Sequence, residues 1–182
     1  SLHTYSFLWL MAGAVLNLFA NGRRTIPVAA WLAPVFLLHF SRLDTTAWGT
    51  MWVFLALFVT TLWAFRGIIP APGLGFVAIC ALIALTETVP FVADRLMAAH
   101  LPGFISTLVF PLAWAALDFA ARWSPYGTWG SAAYAQYGNL PLMQLASVTG
   151  TPGIAFLIAW FAAVANGTAE MNFDWHLSQD GL

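Results

Sequence analysis

The chain has 182 residues, 61% of them hydrophobic and only 7% charged, with a net charge of −1 and a mean hydropathy of +0.80. Soluble domains carry about 25% charged residues, so six basic and seven acidic side chains cannot cover a water-facing surface of this size. The composition excludes a soluble globular protein, and the scattered arginines exclude the basic face of a nucleic-acid binder.

The first stretch, SLHTYSFLWLMAGAVLNLFA (1–20), has no initiating Met and no basic n-region. It does not read as a cleavable signal peptide, and the missing Met leads us to expect coding sequence upstream. Uncharged runs cover residues 1–22, 25–41, 45–65, 67–86, 96–117 and 123–169. About 20 apolar residues cross a ~30 Å hydrocarbon core. The runs therefore predict six spans, near 5–20, 26–40, 46–66, 73–93, 104–122 and 151–168. Barrel strands alternate apolar and polar residues, whereas WVFLALFV (52–59) and FVAICALIAL (76–85) do not. With every backbone group needing a partner in lipid, the fold class is an all-α membrane protein. We expect a transmembrane bundle over 1–168 and a polar acidic tail over 169–182, the tail lying in water. The first two spans are short, which fits a tilted or partly inserted hairpin.

The connections carry turn signals: Asn-Gly in ANGRR (20–24), prolines and glycines in RGIIPAPGLG (66–75), and Pro-Gly in AHLPGF (99–104). Trp and Tyr cluster toward span ends, as interfacial belts do. Counting arginines per connection favours an outside N-terminus by four to two.

Ionisable groups in or beside a span are costly and mark pairing or function. Glu87, in LTETVPF (85–91), has no basic residue three or four positions away. It reads as an interfacial carboxylate or as a candidate intramembrane polar site. Asp118 and Arg122 are four residues apart near the end of the fifth span, on one helical face. They read as an intrahelical ion pair or as a polar anchor facing a cavity. His39 reads as an interfacial histidine. Cys80, the single cysteine, has no neighbouring base or positive charge and reads as a packing residue. Asn166-Gly167-Thr168 fits a glycosylation pattern but sits at a span end, where chance is the better account. No nucleophile elbow, no metal-ligand spacing and no lysine occur, so neither a metal nor a cofactor is expected.

The run from Ser124 to Asn139 is polar and aromatic, with Gly127, Gly130 and Gly138 inside it and Gly150 just beyond. Such a non-helical stretch at membrane depth is tolerated where it lines a wet cavity or is buried in protein, so it predicts a cavity-lining connection between the fifth and sixth spans. With its flanks (110–166), it resembles the membrane portion of bacterial apolipoprotein N-acyltransferases. The resemblance rests on Pro111, Trp114, Asp118, Arg122, Trp129, Tyr134, Gln136, Gln144, Ala146, Gly150 and Gly153. More loosely, WLAPVFLLHFSR (31–42) looks like the family's second helix. Asp118 stands where Glu is commoner.

The resemblance implies residence in the bacterial inner membrane, a cytoplasmic N-terminus against the arginine count, and a cavity open to the bilayer. That cavity would admit a phospholipid acyl donor and a lipoprotein acceptor. Trp129, Tyr134 and Gln136 would line it, Arg122 would hold a lipid phosphate with Asp118 orienting it, and Arg42 would matter far less. The family's Glu-Lys-Cys triad lies in a nitrilase-like domain that these residues do not include, as the absent lysine requires. The other expectation is a stand-alone, non-catalytic subunit, structural or lipid-binding, working with other membrane-protein subunits.

Overall fold

The computed structural model describes residues 2–180 apart from 23, 45, 125–126 and 129, with side chains described from 6 to 168. Seven α-helices follow one another: α1 (Leu2–Asn17), α2 (Pro27–Leu43), α3 (Ala47–Ala64), α4 (Leu74–Met97), α5 (Ser106–Ala121), α6 (Leu140–Thr149) and α7 (Thr151–Asp180). No strand occurs among the described residues.

Local chemistry sets the helix starts. Pro27 opens α2, where its missing N–H costs nothing. Thr46 caps α3, accepting a hydrogen bond from the Gly49 N–H at 3.3 Å. Pro34, Pro90 and Pro111 sit inside α2, α4 and α5, all buried against neighbouring helices. Packed neighbours make such interior prolines tolerable in membrane helices.

Six helices close a ring. α1 packs on α2, α2 on α7, α7 on α5, α5 on α4, α4 on α3, and α3 back on α1. Each contributes to one shared core: Leu10, Leu37, Val53, Phe91, Phe110 and Ala159 represent the six in that cluster. Alanines dominate the α7 side, where Ala159, Ala162 and Ala163 are fully buried. Small side chains let backbones approach closely, which is how helices associate without a hydrophobic drive from lipid. The outer surface is apolar, with Leu74, Trp63 and Val59 more than half exposed.

The six expected spans correspond to α1–α5 and α7, with a difference in reach. Four segments are long and apolar enough to cross a membrane: Ala47–Ala64, Leu74–His100, Gly103–Ala121 and Thr151–Thr168. α2 has 17 residues and α1 has 16, about 25 Å at 1.5 Å per residue. These two pack together as the hairpin expected from the two short predicted spans. Two further differences appear. α4 runs to Met97 rather than ending near 93, which carries Asp94 and Arg95 into its last turn. Residues 140–149 form α6, whereas the sequence reading left the connection without a helix. Pro141 at its first turn and Gly150 at its end bound that helix. The backbone of residues 169–180 continues α7.

Candidate functional site

The up-and-down path places the connections at two ends of the ring. The described residues of 18–26, 65–73 and 122–150 gather at one end, here called the upper end; those of 44–46 and 98–105 gather at the lower end.

At the upper end the polar connection folds inward. A 3-10 turn, Ala132–Gln136, packs on α7 and α2. Ala133 is buried with Ile154 and Ile158, beside Trp31. Gln136 is 1% exposed and uses both ends of its amide: Nε2 donates to the Pro27 carbonyl and Oε1 accepts from Trp31 Nε1, each at 3.1 Å. Its amide is thereby satisfied at the start of α2, so its place is that of a fastener for the turn rather than a cavity wall. Tyr134 faces the other way, half exposed, with its hydroxyl 2.8 Å from Thr128 Oγ1. Trp129 lies outside the described residues.

Asp118 and Arg122 do not form the intrahelical pair that their spacing allows. Asp118 is buried, and its Oδ2 has no hydrogen-bond partner. Arg122 caps α5 and is exposed; its guanidinium lies over the Phe119 ring, 5.4 Å from the centroid, and against Gly150. The reason is steric and local: Gly150, at φ +71°, lacks the Cβ that would fall 2.0 Å from Arg122 Nη2. A second buried, unpartnered oxygen, Thr151 Oγ1, belongs to the adjoining start of α7. The upper end therefore holds an exposed guanidinium, a buried carboxylate on the same helix, and a half-exposed phenol.

Glu87 lies inside α4 rather than near its end, half-buried between Thr86 and the buried Thr88. Among the described residues it has neither a hydrogen bond nor an ion pair. His39, read as interfacial, is half-buried and bonded: its Nδ1 lies 2.8 Å from Asn166 Oδ1. Asn166 is 2% exposed and donates from Nδ2 to the Val35 and Ala162 carbonyls at 3.0 and 2.9 Å. A side chain so placed is closed to glycosylation. Cys80 is buried in the α4 core, as a packing residue should be.

The lower end carries a cluster that spacing along the sequence does not pair. Arg42 grips Asp94 with two hydrogen bonds, Nε to Oδ2 at 2.9 Å and Nη2 to Oδ1 at 3.0 Å. Asp94 is 2% exposed. Arg95 Nη1 donates to the Thr46 carbonyl at 2.7 Å and to Thr50 Oγ1 at 2.8 Å, tying α4 to the start of α3. The signal was available: the second and fourth spans run the same way, so their charged ends must share a side. His39 and Asn166 were legible by the same rule.

A ring of apolar helices with four membrane-length members and inward-turned polar caps defines an integral membrane domain. The chain belongs to the family described as the apolipoprotein N-acyltransferase N-terminal domain, which it matches over residues 5–164. It is 46% identical over 57 residues to the apolipoprotein N-acyltransferase of Geobacter metallireducens. That stretch is 30% of this chain and 11% of the relative, so the chain spans only a small part of that protein. No solved structure matches it.

Proposed function

We propose that this chain is the membrane domain of an N-acyltransferase of lipoproteins, forming the cavity by which a phospholipid acyl donor and a lipoprotein acceptor reach the chemistry. The observation that carries the reading is Arg122: exposed, without a carboxylate partner among the described residues, at the upper end, and seated against the glycine that starts the α6–α7 corner. Guanidinium matches phosphate geometry with paired N–H donors. Asp118, one turn below, does not pair with Arg122 and so leaves the guanidinium available to phosphate. Tyr134, half exposed, forms part of the rim, and Gln136 fastens the turn that bears it to the start of α2. Acyl transfer by the Glu-Lys-Cys triad that the resemblance implies needs a lysine, which these residues do not contain. The bacterial inner membrane is the site this role requires.

The test is phospholipid binding by the protein in mixed micelles. Arg122→Gln is expected to weaken it about tenfold, the loss of one charge-assisted contact, and Arg122→Lys to restore part of it. Equal binding by all three proteins would overturn the phosphate role. Arg42→Ala is an unsuitable control, because its salt bridge to Asp94 makes it a stability variant.

A further inference from the structure

We propose that the groove between the ends of α1 and α3 is a second, separate binding site, for the phosphate headgroup of an anionic phospholipid. It does not rest on the role given to Arg122. A cavity of about 780 Å³ opens there, walled by Leu18, Phe19 and Trp63 and bearing Asn21, Arg24 and Arg66. Ligand sites run from about 300 to 1,000 Å³.

Three observations make it a built site rather than a gap. First, the walls are locked. Gly22, at φ +91°, brings the α1–α2 connection onto the end of α3: a Cβ there would lie 2.6 Å from the Ala64 carbonyl oxygen. Asn21 Nδ2 donates to the Gly130 carbonyl, and Asn17 Nδ2 to Thr60 Oγ1 at 2.8 Å just below the groove. Second, the two guanidiniums share the groove and neither has a hydrogen bond or ion pair among the described residues. Like charges held near one another at a lipid boundary repel, and an anion between them removes that cost. Among the described residues no carboxylate supplies it: Asp118, the one described acidic residue of the upper end, is buried in α5. Third, the groove is amphipathic in the sense a lipid needs. Trp63 is 66% exposed and marks the headgroup level, while Leu18 and Phe19 offer an apolar wall to acyl chain. Free phosphate would use the arginines but not that wall.

The test is native mass spectrometry of the purified protein with phosphatidylglycerol, phosphatidylcholine or inorganic phosphate. The wild type is expected to retain phosphatidylglycerol at least tenfold better than phosphatidylcholine. Arg24→Gln with Arg66→Gln is expected to lose that preference, and Arg66→Glu to lose it as the single change. Arg122→Gln is expected to keep it, which separates this site from the one proposed above. Retention by the double variant within twofold of wild type would overturn the proposal. Displacement of the lipid by millimolar inorganic phosphate would also overturn it, by showing a free-anion site.

Discussion

The two ends of the helical ring use arginine in opposite ways. At the lower end Arg42 is spent on Asp94 and Arg95 on the first turn of α3. Each guanidinium there closes a seam between helices. At the upper end Arg24, Arg66 and Arg122 stand exposed, and the one carboxylate nearby is buried without meeting them. Charge that a membrane protein could neutralise internally is left available on one side only. The lower end therefore reads as the fastening of the bundle and the upper end as its recognition face.

The sharpest way to break this contrast is at the fastening. Removing one partner of a buried pair leaves a stranded charge and costs about 3–5 kcal/mol. Arg42→Ala is expected to lower the melting temperature in micelles more than any upper-end arginine variant. Replacing both partners, as Arg42→Met with Asp94→Leu, is expected to recover much of the loss, since no charge is then stranded. An Arg42→Ala melt equal to wild type would remove the lower end's structural role.

Next in size is Gln136. Gln136→Leu strands the Trp31 N–H and leaves the Pro27 carbonyl without its side-chain donor, at about 1–3 kcal/mol for each group left unsatisfied. The melt should fall, and phospholipid binding should weaken only in step with it. A binding defect without a melt defect would return Gln136 to the cavity wall.

The sequence was legible where one rule dominated. Uncharged runs of sufficient length located all six ring helices, because lipid leaves no other way to satisfy the backbone. It was less legible where two rules competed. Residues 140–149 combine Pro141, Gln144, Ser147 and Thr149 with apolar neighbours, so polarity suggested a loop, whereas the Pro start and Gly end allow a helix. Asp118 and Arg122 have ion-pair spacing, but spacing says nothing of Gly150, distant in sequence, which offers the guanidinium a seat. Arg42–Asp94 was open to inference from topology alone, since alternate spans end on the same side.

The smallest expected effect tests the upper end most directly. Among the described residues Arg24 and Arg66 have no side-chain hydrogen bond or ion pair, so Arg24→Gln with Arg66→Gln is expected to leave the melt in phosphatidylcholine within about 2 °C of wild type. The two proteins should part only when phosphatidylglycerol is added. A ligand that binds the folded state alone stabilises it by RT ln(1 + [L]/Kd), about 2.7 kcal/mol at a hundredfold excess over Kd. That is worth several degrees for a chain of this length. Wild type should gain them and the double variant should not, because the guanidiniums of the upper end contribute to stability only through what they bind. A double variant that melts lower even in phosphatidylcholine would mean that these arginines fasten the bundle too, and the contrast between the two ends would fail.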